Sequence, residues 1–339
     1  MKKKPLVSVL LPVHNGGDGL QAAVQSILAQ TESRFELIVI DDGSDRPVEQ
    51  GRSPGFSDAR LRIHRQSRSG IVAALNLGLA MARGTYIARM DADDTCERDR
   101  LEKQLAMMEQ EKDWGAVSCL VRHGRCQKND EGFRLFVAWV NSLVSVEGIS
   151  CNRFIESPVV HPTLFWRREL VDSLGGYREF DGPEDYELWL RWLESGVKIG
   201  KVLEPLYTWN DGATRLTRTD PRYRPDAFHR CKAPYLARWL AAHNPYHPDI
   251  LVWGAGRVTR RRVDLLEPFG VRVTGFVDID PNKIGQDLPQ GPVLHPDDIP
   301  PAGSRFVLSC VGSRGARSLI ARLLEEKGYR CARDYILAA

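Results

Sequence analysis

The first hundred residues alternate between apolar, β-branched runs and helix-like segments, and this alternation constrains the fold more than any other feature of the chain. "LVSVLLPV" gives way to "GLQAAVQSILAQ", "FELIVIDD" to "GIVAALNLGLAMARG", and "TYIARMD" closes the series. Strands that are apolar on both faces belong to a parallel sheet covered by helices on both sides, because a half-solvated strand would alternate with polar residues. The class is therefore α/β. In open sheets of this class ligands bind beyond the carboxyl ends of the strands, and that edge carries His14, Asp41, Asp42, Asp91, Asp93 and Asp94.

With 339 residues, 42% of them hydrophobic, the chain is long enough for a sizeable core and two domains. Its formal net charge of +3 is too small for a protein whose affinity rests on neutralising many phosphates, so no nucleic-acid partner is expected. "MKKKP" resembles the charged end of a signal peptide, but the apolar run after it is short and continues into "HNGG", which reads as a first strand. No run approaches the roughly 20 apolar residues that span a bilayer. The expectation is a cytoplasmic protein, at most peripheral to the inner face of the membrane. Seven dispersed cysteines argue for a reducing compartment. The trio Cys119, His123 and Cys126 lacks a fourth ligand and the usual two-residue thiol spacing of a zinc site.

Further along, "ERDRLEKQLAMMEQ" places Leu101, Leu105 and Met108 at helical spacing, as core contacts, and less regular sequence follows to about residue 155. "PVVHPTLFWRRELVDSLGGY" reads as a strand and a helix ended by glycines, and "GPEDYELWLRW" opens a second helix at Pro183 or Glu184. A Pro- and Arg-rich stretch around one amphipathic helix, residues 217–248, reads as a linker between residues 1–216 and 249–339. The tail has strand, glycine turn, helix, and strand ending in acid. It supplies Gly254 and Gly256 but Thr259 where a dinucleotide fingerprint needs a third glycine, with Asp278 or Asp280 at a suitable remove for a ribose. A cofactor site and a structural or docking role both remain open for it.

The stretch "YIARMDADDT" puts three carboxylates into four positions. Like charges at contact distance disfavour one another unless protons or a cation neutralise them. One reading is a solvated turn with an Asp capping the next helix. The other has Asp91 and Asp93, two apart on a strand, addressing one shared ion. Hard oxygen donors select Mg²⁺ or Mn²⁺, and such ions bind one or two carboxylates together with the phosphates of a substrate. "VIDDGSD" ends a neighbouring strand with two more acids, where hydrogen bonds from a ribose or a base are commonly accepted. Glu184 and Asp185 are readable as helix-start residues alone.

In this order, "VSVLLPVHNGG", "FELIVIDDGSD", "GIVAALNLGLAMARGTYIARMDADD" and "GPEDYELWLRW" resemble the successive motifs of the family-2 glycosyltransferases with the GT-A fold, over roughly residues 6 to 220. The resemblance implies a GT-A domain with a smaller Rossmann-like α/β module appended. It implies that Asp41 and Asp42 bind base and ribose, that Pro12 and His14 line the nucleotide pocket, and that Asp91 and Asp93 form the Asp-X-Asp motif, with Asp91 on the ribose and both on the metal. Asp185 matches the catalytic base, and Glu184 is expected to support acceptor binding. The family often has a histidine after the base in a Tyr-X-Trp-Arg-X-His stretch. This chain has "YTWNDGATR" there, with Asn210 and Gly212, so Arg215, Arg218 or His161 are candidates to compensate. The implied activity is inverting, single-sugar transfer from a nucleotide-sugar donor, UDP-linked, to a saccharide or lipid-linked acceptor in surface polysaccharide synthesis. Two other classes are a dinucleotide-dependent oxidoreductase centred on the tail and a noncatalytic nucleotide-binding scaffold.

Overall fold

The computed structural model describes residues 4–49, 56–124, 131–210 and 215–339. The chain divides into two compact units, Met1–Ile149 with Val159–Asp220, and Ser150–Pro158 with Pro221–Ala339.

In the first unit the strands are β1 (Val7–Val13), β2 (Phe35–Asp42), β3 (Leu61–Gln66), β4 (Tyr86–Arg89), β5 (Thr95–Cys96), β6 (Trp114–His123), β7 (Phe165–Arg167) and β8 (Lys198–Trp209). They lie in the order β3-β2-β1-β4-β7-β6-β8-β5. The pairs among β3, β2, β1 and β4 are all parallel, as the apolar runs predict. Side chains alternate between faces, so Val9, Leu11, Leu37 and Val39 enter one core, while Leu10, Ile38, Ile40 and Ile87 enter another. The helices Gly19–Leu28 and Arg100–Gln110 cover the first face, the latter through Leu101, Leu105 and Met108. The helices Ile71–Met81 and Glu184–Glu194 cover the second, the latter through Leu188, Trp189 and Trp192. Trp192 packs on Trp166 and Trp189 with ring centroids 5.8 and 5.2 Å away, so truncating it would cost about 3–5 kcal/mol.

The sheet is not parallel throughout. β7 runs antiparallel to both β4 and β6, with Phe165 opposite Ala88. The chain enters β7 from the short helix His161–Thr163 at the carboxyl end of β4, and from there a strand can only run back. This reversal delivers His161 to the edge where the acids gather. Two more departures from the sequence reading concern this half. β4 stops at Arg89, so Asp91 and Asp93 share a turn, not a strand face. The region read as irregular contains β6 and the helix Glu131–Ser142; "WGAVSCLVRH" is buried over most of its length, and its charged end hides the strand.

The second unit has β9 (Asp249–Trp253), β10 (Arg272–Val277), β11 (Asp287–Leu288), β12 (Gly291–Leu294), β13 (Val307–Ser309) and β14 (Tyr335–Leu337), in the order β11-β12-β10-β9-β13-β14. All pairs are parallel except the β11–β12 hairpin, so the five long-range strands follow the 3-2-1-4-5 order of a doubly wound sheet. The helix Pro225–His243, within the stretch read as a linker, belongs to this unit. Its Trp239 meets Phe154 and Phe306 edge-on, and its buried Lys232 donates to the Phe154 carbonyl at 2.7 Å. Among the described residues no helix is long and apolar enough to cross a membrane.

Candidate active site

Beyond β4 the chain turns through Asp91, Asp93 and Asp94, whose carboxylates each offer an oxygen within 4.8 Å of the others. Each acid has different neighbours. Asp91 is held by the buried Arg89 guanidinium at 2.7 Å and by Arg215 at 3.3 Å. Asp94 is fully buried and accepts from the Tyr207 hydroxyl at 2.9 Å and the Asn210 amide at 2.7 Å. Asp93 is the most solvent-accessible of the three, although its carboxylate is partly enclosed by the turn, and it makes no ion pair among the described residues. Burial raises the Asp91 carboxyl, but Arg89 and Arg215 outweigh it and the net shift is downward. Burial and the Asp91 charge push Asp93 up, and the same causes push Asp94 well up. A carboxylate held above its usual range beside others is where a cation is favourable, and three hard oxygens fit Mg²⁺ or Mn²⁺. The turn is packed tightly: a Cβ on Gly19, the first residue of its helix, would sit 3.0 Å from the Asp93 Cα.

Asp185 stands at the start of the helix Glu184–Glu194, where Oδ1 accepts from the Tyr186 amide at 2.7 Å. Burial, and then the charge of Glu184, push its carboxyl up to about 7. Its Oδ2 faces the buried His161 Nδ1 at 4.0 Å, and His161 Nε2 lies 2.8 Å from the Tyr177 hydroxyl. Burial and the Arg89 charge push His161 well below its usual value, although Asp91 opposes this, so the ring is neutral. Arg100 fixes the frame: fully buried, it donates to the carbonyls of Arg89 at 3.0 Å and Pro162 at 2.8 Å. The acid turn and His161 are thereby tied together across 60-odd residues of chain.

The β1–β2 edge is built from the same strand ends. Asp41 is fully buried and accepts from the amides of Ser44 (2.8 Å) and Val48 (3.1 Å), with Arg65 at 3.3 Å. Asp42 accepts from Gln66 Nε2 at 2.7 Å and from the amides of Ser69 and Gly70 at 2.8 and 2.9 Å. Both carboxylates thus organise their own loop. Gly43, at φ +69°, is required there, because a Cβ would meet the Arg68 amide at 2.7 Å. His14 Nδ1 lies 2.9 Å from the Asp42 carbonyl oxygen. Pro12 is buried in β1 although that strand is central. The Leu10 carbonyl accepts from Met90, so position 12 faces the same side beyond the end of β4, where no ladder bond is lost.

The structure brings Arg215 and His161 into the site, whereas Arg218 lies on the exposed short helix Leu216–Thr219. Asn210 donates Nδ2 to the Asp93 carbonyl at 2.8 Å; Gly212 lies outside the described residues, as does Cys126. Cys119 and His123 are four residues apart on β6, about 13 Å in an extended strand, which does not suit one zinc ion. Glu184 is buried beside Asp185. Sequence reasoning missed Arg89, Tyr177, Tyr207 and Arg100. Arg89 alone carried a local signal, a charged residue inside the buried run "YIARM", which is costly unless paired.

Residues 8–175 match the family described as Glycosyl transferase family 2. EpsE of Bacillus subtilis, a protein named as a glycosyltransferase, is 30% identical over 272 residues, covering 73% of this chain and 95% of EpsE. The chain belongs to glycosyltransferase family 2. The Escherichia coli O-antigen biosynthesis glycosyltransferase WbnJ is 31% identical over 198 residues, 57% of this chain and 74% of WbnJ. Staphylococcus aureus TarS 1-349, solved with UDP-GlcNAc, superposes with a TM-score of 0.55 at 16% identity, covering 78% of this chain and 71% of that one, a likeness of fold. The first unit of this glycosyltransferase has the GT-A fold. Asp185 falls ten residues past the matched segment, so its place in the site rests on the geometry above.

Proposed function

We propose that this glycosyltransferase is an inverting enzyme that moves a sugar from a nucleoside-diphosphate donor, UDP-linked, onto a saccharide or lipid-linked hydroxyl in the building of a surface polysaccharide. The observation that carries the reading is the meeting of two sets of acids from distant parts of the chain at one sheet edge. Asp91, Asp93 and Asp94 stand at the end of β4, and Asp185 stands beside them through His161 and Arg89. UDP-GlcNAc in TarS and the O-antigen role of WbnJ support the donor class and the product class.

In this reading Asp93 and Asp91 hold a divalent ion, which when bound supplies Lewis-acid stabilisation to the departing diphosphate. The chain's own groups do the rest. Arg215, stacked 4.7 Å over Trp209 and paired with Asp91, places a second positive charge at the leaving group. His14 and the Asp41–Asp42 loop form the wall for base and ribose. Asp185, raised to about 7, takes the proton of the attacking hydroxyl, and displacement from the face opposite the diphosphate inverts the anomeric carbon. Glu184 keeps the base poised by its charge and lines the acceptor side. In the second unit, Asp278 accepts from the Ala255 amide at 2.8 Å and pairs with Lys283 at 3.2 Å. The charge of the acid suited to a ribose is therefore already answered by a lysine of its own loop, which disfavours the oxidoreductase reading.

The test is calorimetric titration of UDP, GDP and NAD into the protein with and without Mn²⁺, repeated on Asp93→Asn. Metal-dependent UDP binding lost in the variant supports the reading. NAD binding alone, or no nucleotide binding, would sink it.

A further inference from the structure

Asp185 has one oxygen fixed by a backbone amide and the other facing His161, so what His161 presents to it bears directly on how the carboxylate stands. A neutral imidazole has one N–H and one bare nitrogen. Tyr177 is buried and its hydroxyl is pushed up by burial and by the charges of Glu184, Asp185 and Asp91, against Arg89, so it stays protonated. Its backbone is clamped from both sides by Asn76, whose Oδ1 accepts from the Tyr177 amide at 3.0 Å and whose Nδ2 donates to the Tyr177 carbonyl at 2.8 Å. Trp189, edge-on at 5.5 Å, closes the other side of the imidazole. Neither partner of the Tyr177–His161 bond is therefore free to swing.

Two arrangements satisfy that bond. If Nε2 donates, the bare Nδ1 lone pair faces Asp185, which is repulsive when the carboxylate is ionised, the form that accepts a proton and that prevails above about pH 7. If the Tyr177 hydroxyl donates to Nε2, the proton sits on Nδ1 and points at Asp185 Oδ2. We infer that His161 is a positioning residue for Asp185: Tyr177 holds it in the Nδ1–H tautomer, and its N–H aligns the carboxylate that receives the acceptor proton. The 4.0 Å separation closes to hydrogen-bond length when the acceptor is seated, as catalytic hydrogen bonds commonly do. Arg89 and Asp91 also act on the ring, with opposite signs, and Arg89 disfavours an imidazolium. The inference rests on the reading of Asp185 as base, but the tautomer can be read without turnover.

The experiment is two-bond ¹H–¹⁵N correlation spectroscopy on the ¹⁵N-labelled full chain, with His161 assigned by the signal lost in His161→Gln, or in His161→Asn should the former not fold. The expected result at pH 8, where Asp185 is ionised, is a protonated Nδ1 and a bare Nε2 in the native protein, with a shift toward Nε2–H in Tyr177→Phe. An Nε2–H tautomer or an imidazolium in the native protein overturns the inference. Nucleotide release from UDP-GlcNAc with Mn²⁺ gives the second readout. An Asn amide overlays Nδ1 and a Gln amide overlays Nε2, so His161→Asn should keep most of the rate while His161→Gln loses about 10²-fold with KM unchanged. Equal losses in both variants would indicate a merely structural ring and overturn the inference. Release unchanged in Asp185→Asn would instead overturn the base reading, whatever the tautomer.

Discussion

The carboxyl edges of the two sheets start from the same pattern of strand, glycine turn, helix and acid-tipped strand, and they end differently. In the second unit Asp278 accepts from Ala255 and Asp280 amides, and Lys283 pairs with both Asp278 and Asp280. Hydrogen bonds from Asn282 and Lys283 hold Asp280 below the usual carboxylate range. In the first unit Asp93 and Asp185 are pushed up by burial and by like charge, with no lysine or arginine paired to either among the described residues. The teaching is physical and concerns these acids: Asp278 and Asp280 have their charge answered by a lysine of their own loop and are structural, while Asp93 and Asp185, left above their usual range at a shared edge, await a ligand or a proton.

The largest expected effect tests that contrast directly. Asp185→Asn removes the proton acceptor and should lower sugar transfer about 10²–10⁴-fold, measured as nucleotide release with acceptor present. Because the native carboxylate is disfavoured by burial and Glu184, the same variant should be more stable at pH 8 by about 1 kcal/mol. A variant that is inactive and less stable would break the comparison. Next, Asp93→Asn should weaken UDP binding in Mn²⁺ about tenfold or more and leave metal-free binding unchanged, as read by calorimetry. Equal loss in both conditions would mean that Asp93 acts without a cation.

The third expectation concerns pH. A base whose folded carboxyl titrates near 7 is ionised above that value and protonated below it, so transfer should fall about tenfold per unit as pH drops below 7. Glu184 is the second cause of the shift, so Glu184→Gln should move that limb to lower pH. A limb left in place, in a folded variant, would assign the shift to burial alone.

How much of this was legible depended on the reach of each contact. The runs of β1, β2 and β4 and the helices over Ile71–Met81 and Glu184–Glu194 were readable because periodicity is local. Asp91, Asp93 and Asp185 were readable as motif residues, but the reason Asp91 and Asp93 converge was not, since β4 stops before them and a turn does the work assigned to a pleat. Arg215 on Asp91 and Tyr207 on Asp94 span more than a hundred residues, and no window along the sequence contains both partners. His161 needed the reversal of β7, a topological fact that the residues 161–167 do not announce.

The smallest expected effect on activity falls in the second unit and closes the comparison. Asp278→Asn keeps the shape of the side chain but removes the charge that Lys283 answers and weakens the acceptor for the Ala255 amide. Ala255 is buried, so a poorly satisfied amide there should cost about 1–3 kcal/mol, seen as a lower thermal midpoint. Sugar transfer by the folded protein should stay within about threefold, because an acid already spent on its own turn has no further chemistry to lose. A drop of the Asp185→Asn kind would mean that the second edge, too, handles substrate, and that local neutralisation does not separate structural acids from working ones in this chain.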